Sequence, residues 1–301
     1  MPHRRLPPSR PRTSPAGRAA ARASVLAAAA ALAVSTGGLA RASTAPGAPS
    51  SGGAMSGGAS SGVTADFLTR AAPHGAQRVT AAVLDLDATH PRTTVYGDDL
   101  PYDTASIVKV DILAAALLRA QDAGHGLTAG QRQQAEVMIE RSDNAAAGGL
   151  WREIGLAPGL AAANERLGLG ATRGGPGGKW GLTRTTASDQ VRLLRAVFAP
   201  DPAAPGALDA ASRAYVRTLM SRVDGAQSWG VPAAGGSGAA LKNGWLQRNT
   251  TGLWDVNSVG RITVGGHRCL VAVLSDGSPT MADGVALVER AARAAVAEPR
   301  T

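Results

Sequence analysis

An α/β fold is predicted for this 301-residue chain, with one antiparallel sheet drawn from segments near both ends, helices flanking it, and a separate helical lobe. Three observations carry that prediction. Residues 78–87 and 93–96 have strand character, the first with the two-residue alternation of a strand, and that period returns from residue 239 to 275. The intervening 106–222 is helix-forming, with caps and breakers at its joints. Strands at both ends with helices between them is the order expected when the terminal segments share a sheet and the middle forms its own lobe.

Taken in order, a short helix is expected at 64–71. A strand follows at 78–87, where Val79, Ala81, Val83 and Asp85 point one way, and a second strand spans Thr93–Tyr96 after His90-Pro91. Residues 106–122 read as an apolar helix stopped by Gly124. Ser106 then lies at its start, and Lys109, at i+3, on the same face. Thr128 with Gln131 forms a capping box for a helix through about Arg141, and Ser142-Asp143-Asn144 falls at the break after it. Further helices are expected at 145–154, at 187–199 behind a Thr186/Asp189 cap, and at 208–222. Strands at 239–246, 252–264 and 267–275 follow, the last two joined by a Gly265-Gly266 hairpin turn, and an amphipathic helix at 280–297 closes the chain.

Residues 1–42 carry seven arginines and no acid, then an alanine-rich apolar run at 25–34 and the small-residue sequence Ala40-Arg41-Ala42. This reads as an export signal cleaved near Ala42, too short for a permanent membrane span, which takes about 20 apolar residues. The expected location is therefore secreted or extracytoplasmic, facing the cell wall. Arg4-Arg5 hints at twin-arginine export. Removing the signal leaves 24 basic against 22 acidic residues, so the high pI belongs largely to the signal. No aromatic-interleaved basic stripe is present, and no nucleic-acid partner is expected. Residues 43–62, rich in Ser, Gly, Ala and Pro, read as a flexible linker, and 63–298 as one domain, expected to be a monomer. The single cysteine, Cys269, sits in an apolar run and reads as a packing residue. The histidines are scattered, so no metal and no cofactor is expected.

The chain holds three lysines, Lys109, Lys179 and Lys242, against 28 arginines. Where composition favours arginine, a retained lysine suits roles arginine cannot fill, such as losing a proton in a buried site. Two of the three lie in short motifs: Ser106-Ile107-Val108-Lys109 and Lys242-Asn243-Gly244-Trp245, with Ser142-Asp143-Asn144 between them. S-x-x-K and K-x-G each recur by chance about once per chain of this length, and S-D-N in about one chain in twenty, so the ordered set is the signal.

In that order the motifs resemble the S-x-x-K, S-D-N and K-T-G set of class A β-lactamases and penicillin-binding proteins, over about 63–297. The resemblance implies an exported serine hydrolase that forms an acyl-enzyme on Ser106 with a β-lactam or peptidoglycan-type substrate. Lys109 is then the base, Ser142 the proton carrier, and Lys242 the partner of Ser142 and attractor of a substrate carboxylate. Asn144 holds Lys109 and substrate, Asn243 and Gly244 line the substrate strand, and the N–H groups of Ser106 and Trp245 receive the oxyanion.

The chain departs from the family at three points. Asn243 stands where a hydroxyl is usual, leaving an amide N–H to substitute. The 36 residues from Ser106 to Ser142 are few for a class A enzyme, which implies a trimmed lobe. The loop Gly174-Gly175-Pro176-Gly177-Gly178-Lys179-Trp180-Gly181 lacks the glutamate that serves deacylation in class A enzymes, and no acid occurs between Glu165 and Asp189. Slow deacylation is expected. A D,D-peptidase-like enzyme and a non-catalytic cell-wall or ligand-binding module retaining the fold are the alternatives.

Overall fold

The computed structural model describes residues 58–199, 208–236 and 238–297. The predicted signal and the linker up to residue 57 lie outside the described residues. Helix α1 (Gly58–Ala71) leads into β1 (Arg78–Asp85), β2 (Thr93–Tyr96) and a two-residue β3 (Tyr102–Asp103). A 3-10 turn, Ala105–Ile107, runs into α2 (Val108–Asp122), followed by α3 (Ala129–Glu140), α4 (Asn144–Glu153) and α5 (Leu156–Leu167). After β4 (Arg184–Thr185) come α6 (Ala187–Phe198) and α7 (Ala210–Met220), then β5 (Ala240–Gln247), β6 (Trp254–Val264), β7 (His267–Ser278) and α8 (Met281–Ala297).

The five-stranded sheet runs β2-β1-β7-β6-β5 with every neighbour antiparallel. At its centre β1, from the N-terminal part of the described residues, pairs with β7, from the C-terminal part, from Arg78↔Asp276 to Asp85↔Cys269. Each face buries its own core. On one side Val83, Val256 and Val271 pack with Phe67 of α1 and Leu287 and Ala291 of α8. On the other, Leu84, Val259 and Leu274 pack with Leu113 of α2, Trp151 of α4 and Leu194 of α6. Helix α2 is buried continuously from Val108 to Leu118, so it is apolar around its whole circumference rather than on one stripe. Its two charged residues in that span, Lys109 and Asp111, are therefore conspicuous.

The turn chemistry matches its prediction in detail. Thr128 and Gln131 form both bonds of the capping box, and Gly265 and Gly266 turn the β6–β7 hairpin with φ of 58° and 86°. Cys269 is fully buried. The short pair β3–β4 was not predicted, and two helices differ from expectation. Helix α1 begins at Gly58, inside the segment read as linker, because its far end is anchored by Phe67 and Ala71 and a helix extends from an anchor one bond per residue. Helix α5 contains Glu165, which reads from the sequence as a solvated helix residue, but it starts earlier than that local pattern indicates, behind Gly155 and through Pro158 and Gly159. Pro158 falls in the first turn, where no N–H is needed, and Gly159 fits because a Cβ there would lie 1.6 Å from Ile154 O.

Candidate active site

Three elements converge where α2 meets β5. The first is the turn before α2. Ala105 has φ 47°, unusual for a residue with a Cβ, and half-buried Ser106 sits in the 3-10 turn that leads into α2, two residues before the helix start rather than at it as the sequence implied. The edge strand β5 supports this turn. A Cβ on Gly244 would meet Ser106 N and Thr104 O at 2.7 Å and Ile107 N at 2.8 Å, so the strand lies against the backbone of Ser106 only because residue 244 has no side chain. Asn257 of β6 ties the same turn to the sheet, donating to Asp103 O at 2.9 Å and Thr104 O at 3.1 Å while accepting from Ser275 N.

The second element is the α3–α4 junction. Asp143 caps α4 by accepting from Ala146 N at 2.7 Å, and Ser142 ahead of it takes φ 58°. That conformation brings Ser142 between the two lysines. Its Oγ lies 3.0 Å from Lys109 Nζ and 3.0 Å from Lys242 Nζ. Lys109 also donates to Ser142 O at 2.6 Å and to Asn144 Oδ1 at 2.8 Å, and Lys242 to Asn243 O at 3.0 Å.

Both lysines are fully buried, which decides their charge. Burial, and then the neighbouring Lys242, lowers Lys109 to about 6, with Asp143 opposing. Burial lowers Lys242 to about 7. With Lys109 neutral, its own donors and lone pair are all satisfied. Its two N–H groups serve Ser142 O and Asn144 Oδ1, its lone pair accepts the Ser142 hydroxyl proton, and Ser142 Oγ accepts from Lys242.

The sequence-predicted residues thus divide by face. Lys242 and Gly244 point one way from β5, Asn243 and Trp245 the other. The Asn243 amide, expected to offer an N–H to substrate, instead bonds Gln227 O at 2.8 Å and Trp229 O at 2.9 Å, holding the loop before β5. Trp245 is half-buried against Trp229, ring centroids 5.9 Å apart. Lys109 lies in the first turn of α2, just after the 3-10 turn of Ser106, and its three hydrogen bonds go to Ser142 (twice) and Asn144, not to Ser106. A buried amine turns to the acceptors that satisfy it, here the carbonyl and hydroxyl of Ser142 and the amide oxygen of Asn144. The sequence reading missed Trp180, whose ring centroid is 4.9 Å from Lys109 Nζ, and Trp151, which bonds the glycine-rich loop. The isolated tryptophan among small residues at 174–181 was the only sequence signal for Trp180, and Trp151 had none.

Comparison with known proteins agrees with this architecture. The beta-lactamase enzyme family matches residues 121–298, which takes in the Ser142 and Lys242 segments and begins after Lys109. Among solved structures, a variant of PBP-A, captured as its acyl-enzyme with penicillin G, is similar at TM-score 0.65 and 19% identity, over 78% of this chain and 95% of that one. A class A β-lactamase from Bacteroides cellulosilyticus is similar at 0.64 and 16%, over 78% and 96%. A variant of the class A β-lactamase of the last common ancestor of Gram-negative bacteria is similar at 0.61 and 22%, over 79% and 97%. No curated protein matches.

Proposed function

The chain belongs to the beta-lactamase enzyme family, and from that premise we propose that it is an exported serine hydrolase acylated on Ser106 by a β-lactam or a peptidoglycan-type peptide. The observation that carries this reading is Ser142 Oγ held 3.0 Å from each of two buried, acidified lysines. A structural serine needs no such pair, and burying two lysines together is costly unless their chemistry is used.

In this mechanism neutral Lys109 takes the proton from Ser106 Oγ as that oxygen bonds the substrate carbonyl carbon. The transfer requires Lys109 Nζ to exchange one partner for Ser106 when substrate fills the cleft, since catalytic hydrogen bonds commonly tighten only in the complex. The negative charge formed on the carbonyl oxygen is received by the N–H groups of Ser106 and Trp245, the first of which belongs to the opening turn of the helix. Collapse breaks the C–N bond, and the leaving nitrogen receives the proton from Lys109 through Ser142 Oγ. Protonated Lys242 holds Ser142 in place and attracts the substrate carboxylate. Asn144 keeps Lys109 aimed.

The ester on Ser106 is long-lived in this reading. Residues 174–181 carry no carboxylate, and the next acid, Asp189, is fully buried and accepts from Ala171 N, Thr172 Oγ1 and Arg192. General-base assistance is worth about 10² to 10⁴ in rate. The same loop favours a D,D-peptidase-like enzyme over an efficient lactamase. Incubation of the purified protein with a fluorescent penicillin, followed by intact mass, separates the cases. One label per chain that persists for minutes to hours is expected. Rapid release would show an efficient lactamase, and no label would favour a binding module.

A further inference from the structure

The loop 174–181 is held at several points. Trp151, fully buried on α4, donates its indole N–H to Gly177 O at 2.7 Å, and Gly175 N donates to Thr183 Oγ1 at 3.1 Å. Lys179 N bonds Pro176 O at 3.0 Å, and Leu182 N bonds Lys179 O at 2.9 Å. A Cβ on Gly175 would lie 2.1 Å from Lys179 O, so the loop folds back on itself with no room for a side chain there. A Cβ on Gly181 would touch Ala105 Cα at 3.8 Å, which sets the Trp180 turn against the turn that carries Ser106. Trp180 thereby presents its ring to Lys109 Nζ at 4.9 Å.

We propose that Trp180 is a positioning residue for the base, its indole face favouring the charged form of Lys109 while its bulk keeps water from the amine. This rests on the reading of Lys109 as the proton acceptor. That role demands an amine that both releases and regains a proton near the working pH. The polar partners of Lys109 are Ser142 and Asn144, and the charged groups acting on it are Lys242 of β5 and Asp143 ahead of α4. Desolvation and Lys242 disfavour the cation; Asp143 opposes them. An indole adds what an aliphatic side chain lacks, since it excludes water and attracts a cation through its π face. Without that face the amine would be more acidic still. Without the bulk it would be hydrated and revert toward an ordinary lysine.

Because the full chain has only three lysines, side-chain NMR of protein labelled with ¹³C-lysine resolves Lys109 directly, each signal being assigned by lysine-to-arginine replacement. Trp180→Leu is expected to increase the acid dissociation constant of Lys109 by about two- to thirty-fold, the range of a cation–π contact. Trp180→Phe, which keeps a π face, is expected to change it less, and Trp180→Ala to decrease it as water enters. An unmoved Lys109 midpoint in the leucine variant, or equal effects of leucine and phenylalanine, overturns the proposal. Labelling of the parent by a fluorescent penicillin, measured alongside, separates the two readings. Absent labelling with the expected NMR shifts sinks the hydrolase reading alone, and labelling with unmoved midpoints sinks the role of Trp180 alone.

Discussion

At the scale of single residues the chemistry rests on which amine is neutral. The N-caps of the 3-10 turn and of α2 are Thr104 and Ile107, so Ser106 caps neither, and Ser106→Ala should abolish labelling by a fluorescent penicillin while leaving stability within about 0.5 kcal/mol of the parent, read by chemical denaturation. Lys109→Arg should be nearly as damaging to labelling, since a guanidinium keeps its proton at any working pH. The acylation rate should rise with pH as Lys109 deprotonates near 6 and fall as Lys242 loses its charge near 7, giving a narrow bell between those apparent values. Stopped-flow labelling across pH 5 to 9 measures it, and a rate that climbs monotonically would remove Lys242 from the acylation step. The motif triplet was legible in the sequence because each member is a short local string. The orientation of Asn243 was not, because it depends on a loop at 227–229 that no local pattern ties to β5.

Among the elements, β5 and the loop 174–181 position everything else. Gly244→Ala should push the Ser106 turn away from the strand, since backbone atoms at 2.7 Å cannot yield as a flexible side chain would. The expected result is loss of labelling together with about 1–3 kcal/mol of destabilisation, the usual cost of overpacking, measured by denaturation. A variant that labelled at the parental rate would show that the contact does not govern the nucleophile. Helices with strong caps, such as α3 behind Thr128 and α4 behind Asp143, were readable because a cap is a bond between residues three apart. The two-residue pair β3–β4 was invisible for the opposite reason, joining Tyr102 to Thr185 across helices α2 to α5.

For the whole molecule the buried charges leave a signature in stability. Lys109 and Lys242 titrate near 6 and 7 in the folded protein against an ordinary lysine value of 10.5, so between these limits the unfolded chain binds more protons and stability climbs with pH. Asp111 and Asp255, both raised mainly by burial from 3.8 to about 7, act oppositely and only below 7. From pH 7 to pH 10 the lysines act without that opposition. The melting temperature should rise over that range, and Lys109→Met should flatten the rise, as calorimetry will report. Among the described residues no helix is long and apolar enough to cross a membrane. Export is tested by N-terminal sequencing of the protein recovered outside the cell, expected to begin near Ser43.

The order of the five sheet strands and of the helices other than α5, the capped helix starts, the glycine hairpin and the three motifs followed from the sequence alone, because each depends on residues a few positions apart. The tertiary structure alone decided the charge of the lysines, since the burial of Lys109 comes from elements distant in the chain packing around α2. It also decided the commitment of the Asn243 amide to a loop and the arrival of Trp180 over Lys109. The contacts that fix these span tens to a hundred residues, as between Ser142 and Lys242, and no periodicity or cap encodes a meeting at that range.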